Sequence, residues 1–93
     1  MNITVELSLY PLGGDDAIRT IVAFIKDISA DPRVEVVVNQ LSTQLRGPLP
    51  DVMDVLSAAM HRSFEKRPEQ VLVAKFLNVD LPIGEAPDLA AFD

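Results

Sequence analysis

The chain has no cysteine and no tryptophan, and a single histidine and a single tyrosine, among its 93 residues. Without cysteine there is no disulfide, no thiolate nucleophile and no cysteine-ligated metal, and the redox compartment stays undetermined. His61 cannot form a metal cluster alone, and no histidine or further carboxylate stands at ligand spacing beside Asp51 and Asp54, so neither a metal nor a cofactor is expected. Cations are also scarce: eight Lys and Arg against fourteen Asp and Glu give a formal net charge of −6. That balance disfavours nucleic acid and anionic membranes as partners, because both are bound through basic surfaces. No apolar run approaches the roughly 18 residues that cross a bilayer. No basic segment followed by an apolar run opens the chain either, so the expected location is cytoplasmic.

What is present suffices for one core. Apolar residues make up 48% of the sequence, and no linker divides it. A chain this short buries only about 60–65% of its unfolded surface, which makes self-association a reasonable support.

Ile3, Val5, Leu7 and Leu9 alternate with Thr4, Glu6, Ser8 and Tyr10, the period of a half-buried strand that Pro11 ends. Gly13-Gly14-Asp15-Asp16 then makes a turn with carboxylates placed for a helix N-terminus. Ile18, Ile21, Val22, Ile25 and Ile28 predict a helix over about 16–30, closed by Asp31-Pro32. Val34–Val38 and Leu41–Gly47 read as two strands of a hairpin around Asn39-Gln40. Pro48-Leu49-Pro50-Asp51 opens a second helix whose stripe is Val52, Val55, Leu56, Ala59, Met60 and Phe64. Arg67-Pro68 ends it, and 70–79 forms the last strand, apolar on both faces. Residues 1–80 thus form one domain and 81–93 an acidic tail, in which Leu89 and Phe92 are candidate anchors.

The order strand, helix, strand, strand, helix, strand predicts an α+β fold. It is a ferredoxin-like βαββαβ two-layer sandwich, a four-stranded antiparallel sheet with two helices on one face. Strands one and three are then central neighbours, so Glu6, Ser8 and Tyr10 lie beside Ser42, Gln44 and Arg46 on the face away from the helices. Leu41, Thr43 through its methyl and Leu45 turn toward the core, while Gly47 and Pro48 stop the strand. Glu6 and Arg46 are candidates to pair. A solvated outer sheet face is the alternative reading of the same pattern.

Catalytic groups are thin: His61, Tyr10, Ser8, Ser42 and Glu6 form no catalytic spacing, and His61 reads as a solvated helix residue off the buried stripe. Gly13-Gly14 before a helix reads as a connecting turn more readily than as an anion cradle. Base-stacking RNA recognition needs strand aromatics and a basic surface, and the third strand has no aromatic. An acyl-phosphate-hydrolysing site would want an arginine in the loop after the first strand, and 11–16 contains none.

Ser8-Leu9-Tyr10-Pro11, followed by Leu41-Ser42-Thr43-Gln44-Leu45-Arg46-Gly47 and a Val-Met-Asp helix, resembles the YkoF-type thiamine/hydroxymethylpyrimidine-binding family. The resemblance runs from strand one through strand four. It implies a non-catalytic binder of thiamine or its hydroxymethylpyrimidine moiety, acting in vitamin uptake, salvage or carriage. Proteins of that type carry two such domains in tandem, so a single domain implies a homo-oligomer, a dimer or tetramer. The matched motif positions implied as ligand-binding are Ser8, Tyr10, Ser42, Thr43 and Arg46, with Gln40 as a further polar position. Hydroxyls and amides meet the ring nitrogens and amino group of an aminopyrimidine, Tyr10 packs on its ring, and Glu6 favours a thiazolium cation. Arg46 would repel that cation unless paired, or would contact a phosphate on an esterified form. A homo-oligomeric interaction or regulatory module without a vitamin ligand is the competing expectation, and an enzyme using His61 or Glu6 ranks behind both.

Overall fold

In the computed structural model, which describes residues 1–92, the alternation in the first ten residues becomes strand β1 (Asn2–Pro11). Ile3, Val5, Leu7 and Leu9 all point into the core, none more than 6% exposed. Helix α1 (Ala17–Ser29), strand β2 (Glu35–Val38), strand β3 (Thr43–Pro48), helix α2 (Leu49–Lys66) and strand β4 (Gln70–Leu77) follow. A short 3-10 turn closes the described chain at Leu89–Phe92. The sheet order is β2-β3-β1-β4. Every pairing is antiparallel, so the ferredoxin-like arrangement with β1 and β3 in the middle is the observed one.

The helices cover one face. From α2, Val52, Val55, Leu56 and Ala59 are buried against Val5 and Leu45, with Met60 and Phe64 packed beside them, as the 3.6-residue stripe requires. Pro50 falls in the first turn of α2, where no intrahelical donor is lost. The carboxylates of Asp51 and Asp54 share Arg33, whose Nη1 lies 2.8 Å from Asp54. Asp31 holds the same guanidinium at 2.8 Å, and these hydrogen bonds lower its carboxyl to about 2.

Helix α1 is rotated relative to its sequence pattern. Phe24 and Ile28 are the buried residues, Ile21 packs beside them, and Ile18 and Val22 are exposed, at 77% and 41%. The apolar arc of α1 is broader than the part it buries, which runs through Ile21, Phe24 and Ile28.

The hairpin also differs from the expected one. Its loop is Asn39–Ser42, closed by Asn39 N–H donating to the Ser42 carbonyl at 3.1 Å. The Asn39 side-chain oxygen accepts from the backbone N–H groups of Leu41 and Ser42 at 2.9 and 3.1 Å, an Asx turn. Leu41 is therefore in the loop, 91% exposed, instead of in the core. Gly47 does not stop β3 but lies within it. A Cβ there would sit 3.1 Å from the Arg33 carbonyl, so the missing side chain lets β3 pass close to the segment entering β2.

Past β4 the chain turns back over the face away from the helices. The Thr4 hydroxyl donates to the Val79 carbonyl at 2.7 Å and accepts from Leu81 N–H at 3.0 Å. Arg46 Nε lies 2.7 Å from Asp80, and its Nη1 donates to the Leu81 carbonyl at 3.2 Å. Asn2 Nδ2 donates to Asp80 at 3.3 Å. Residues 78–84 form a strap across one end of the sheet, which is why Thr4, on the outer face, is only 4% exposed. Leu89 is 73% exposed; the Phe92 side chain and Asp93 lie outside the described residues.

Candidate functional site

Cross-strand register sorts the outer sheet face into three bands. Thr4 pairs with Arg46 and Leu77, and Glu35 pairs with Arg46; this band lies under the strap. Glu6 pairs with Gln44 on one side and Lys75 on the other. Ser8 and Tyr10 lie across from Val73 and Val71, in a band with no cover. Directly opposed residues of an antiparallel pair share a face, so each band is a row of neighbouring side chains.

The middle band is a hydrogen-bonded network. Lys75 Nζ lies 3.0 Å from Glu6 Oε1, and the Ser42 hydroxyl donates to Glu6 Oε2 at 3.1 Å. Gln44 Nε2 in turn reaches Ser42 Oγ at 3.5 Å. The bond from Lys75, then that from Ser42, holds the Glu6 carboxyl below its ordinary value, because both favour the ionised form. The network presents a carboxylate that accepts, an ammonium and an amide that donate, and a hydroxyl that does both.

Beside it lies apolar surface. Tyr10, Val71 and Val73 are 54%, 43% and 53% exposed, a ring and two branched side chains on one open patch. Polar groups flanked by a flat apolar platform suit a small heteroaromatic ligand.

The structure brings Glu6, Ser8, Tyr10 and Ser42 together on this face. Thr43 lies apart from them, buried on the core side opposite Leu7, because strand alternation that sends Gln44 outward sends Thr43 inward. Gln40 sits in the exposed Asn39–Ser42 loop. Arg46 does not pair with Glu6. It is drawn to Asp80 and, at 3.9 Å, to Glu35, and anchors the strap.

Four residues of this face were not among the expected ligand-binding positions: Gln44, Lys75, Val71 and Val73. The signal for Lys75 was its position as the one charged residue of β4. Choosing Glu6 as its partner required the register of β1 against β4.

His61 is exposed on α2, its Nε2 3.0 Å from Glu65 one turn on. Gly13 and Gly14 adopt φ of +74° and +77°, and Arg67 bonds the Leu12 carbonyl and Asp16 at this loop. A Cβ on Gly14 would stand 3.0 Å from the Arg67 guanidinium. Among the described residues no group of histidines and carboxylates is placed to hold a metal, and no helix is long and apolar enough to cross a membrane.

A groove runs between the helices and a shallower concavity lies at Met1, Leu49, Met53 and Phe76; neither includes Glu6, Ser42 or Tyr10. The polar network is open to solvent, the Lys75 and Glu6 side chains being 72% and 42% exposed.

The model of the YKOF-related Family matches residues 2–83. No curated protein matches the chain. Among solved structures, protein SP2199 from Streptococcus pneumoniae is 25% identical, with a TM-score of 0.77 over 89% of this chain and 91% of that one. Protein TM0486 from Thermotoga maritima, provisionally assigned to thiamine biosynthesis or salvage, is 18% identical, with a TM-score of 0.75 over the whole of both chains. Protein MJ1052 from Methanocaldococcus jannascii is 18% identical, with a TM-score of 0.71 over 98% and 91%.

Proposed function

Because the chain belongs to the YKOF-related family, we propose that it binds thiamine or its hydroxymethylpyrimidine moiety, without catalysis, on the outer sheet face. The observation that carries the reading is the Gln44–Ser42–Glu6–Lys75 network set beside the exposed Tyr10, Val71 and Val73. The assignment of the Thermotoga maritima relative to thiamine metabolism supports the ligand class.

The chemistry is complementary. Glu6 accepts from the exocyclic amine of an aminopyrimidine, Lys75 and Gln44 donate to its ring nitrogens, and Tyr10 with Val71 and Val73 covers its faces. The positive charge of Arg46 is met by Asp80 and Glu35, which removes the repulsion a thiazolium cation would otherwise meet. Arg46 is equally withdrawn from a phosphate ester, so the unphosphorylated forms fit better.

An open patch does not enclose a ligand, and the exposed valines and tyrosine are the kind of surface a second copy covers. In this reading a partner copy supplies the far wall, making the working unit a homo-oligomer in the cytoplasm. Calorimetric titration with thiamine and with hydroxymethylpyrimidine tests it. Saturable binding weakened about tenfold by Glu6→Gln, a loss of one charge-assisted hydrogen bond, is expected. Absence of heat and of thermal stabilisation with both compounds at millimolar concentration refutes it. If Tyr10→Ala and Val73→Ser instead change only self-association, the face is an interaction seam with no vitamin ligand.

A further inference from the structure

Five of the eight cationic side chains, Arg19, Lys26, Arg62, Lys66 and Arg67, line one groove of about 610 Å³ between α1 and α2. Two carboxylates share it, Asp16 and Asp27. This concentration stands out in a chain whose carboxylates outnumber its cations fourteen to eight.

The carboxylates are already engaged. Arg62 grips Asp27 through two bonds of 2.7 and 2.8 Å, and Arg67 bonds Asp16. Both pairs join α2 or its end to α1, and they bridge the groove at two points along its length. Arg19, Lys26 and Lys66 form no ion pair among the described residues, all pairs there being made by other cations. Lys26 and Lys66 sit in the last turns of their helices, where compensation of the macrodipole accounts for a positive charge. It does not account for Arg19, nor for the placement of all three along one groove.

We propose that this groove binds a small multivalent oxyanion of the phosphate-ester or pyrophosphate class, held by Arg19, Lys26 and Lys66. Three cations left without carboxylates set up a local positive field that selects such a ligand from solution. The volume is that of a small-molecule site, and the two cross-helix ion pairs interrupt the groove, which suits a compact ligand over a polymer. The site lies on the opposite side of the sheet from the proposed vitamin face and does not depend on it.

The test uses the full chain at low ionic strength with inorganic pyrophosphate, and sodium chloride at matched ionic strength as the control. Saturable binding by calorimetry is expected, with amide chemical-shift changes confined to residues 19–27 and 59–67. The exposed double variant Lys26→Gln/Lys66→Gln, and separately Arg19→Gln, keep the wild-type circular dichroism and weaken binding at least about tenfold, the loss of one charge-assisted contact or more. Ser42→Ala, on the other face, leaves pyrophosphate affinity unchanged. Three results would each overturn the proposal: no binding beyond the chloride control, unchanged affinity in both sets of variants, or tighter binding of a decaglutamate peptide than of pyrophosphate. The last assigns the groove to an acidic protein segment.

Discussion

Thr4→Val separates the strap from everything else the structure does. Valine has nearly the shape of threonine, so packing at a site only 4% exposed is kept, while the hydroxyl that donates to Val79 at 2.7 Å and accepts from Leu81 at 3.0 Å is lost. Two hydrogen bonds at about 0.5–1.5 kcal/mol each give about 1–3 kcal/mol. Leu81 is 39% exposed, so water meets part of the freed backbone, and the expected loss lies in the lower half of that range. For a domain of this size each kcal/mol lowers Tm by about 4–8 °C. Urea unfolding gives the free energy, and hydrogen exchange at the Leu81 amide reports the strap directly. Thr4→Ser retains the hydroxyl and keeps most of the Leu81 protection. The reasoning fails if Thr4→Val unfolds at the wild-type urea midpoint with Leu81 protection intact.

Lys75→Met removes the larger of the two causes that lower the Glu6 carboxyl, so its titration, followed by carbon NMR, moves up toward the ordinary carboxylate range. Because folding lowers this group's pKa, its contribution to stability is present above the unfolded carboxylate pKa and disappears as pH falls through the folded value; Lys75→Met flattens that acid limb. Leu45→Ala, at a fully buried central-strand site, costs about 2–5 kcal/mol in chemical denaturation. Leu41→Ser, at a position 91% exposed, stays within about 0.5 kcal/mol. Gly14→Ala meets both a φ of +77° and the Arg67 guanidinium 3.0 Å from the new Cβ, and destabilises by about 1 kcal/mol or more.

The fold was legible wherever an element had one wet side and one dry side. The two-residue period through Ile3, Val5, Leu7 and Leu9 and the helical stripe through Val52, Val55, Leu56 and Ala59 reported their burial faithfully. Periodicity failed where burial was set by something distant. Thr4 reads as a solvent-facing position because the strap that covers it comes from about 75 residues further along the chain. Ile18 and Val22 extend the apolar arc of α1, but the packed face runs through Ile21, Phe24 and Ile28, a choice that depends on the partner layer and not on the helix's own period. Leu41 keeps the alternation of β3, yet the Asn39 side chain captures the backbone at that point and ends the strand before it.

The candidate site was partly legible for the same reason. The motif positions Ser8, Tyr10 and Ser42 and the neighbouring Glu6 share the outer face, because strand alternation alone sends them there. Thr43 belongs to the motif too, but the same alternation turns it inward. Arg46 was read as a site residue from its motif position and its place on the outer face; its carboxylate partner Asp80, at the start of the strap, carried no signal in the sequence.

Residues 78–84 also bear on how the molecule is made. On the ribosome Thr4 emerges 77 positions before Leu81, so the first strand can pair and the helices can dock while one end of its outer face is still bare. The slow, long-range step is the zipping of β4 onto β1, which sets Leu77 opposite Thr4; the strap then closes over only a few residues, and until that zipping the apolar side chains of β1 that β4 flanks stay uncovered. Chaperones and aggregation have that interval in which to compete.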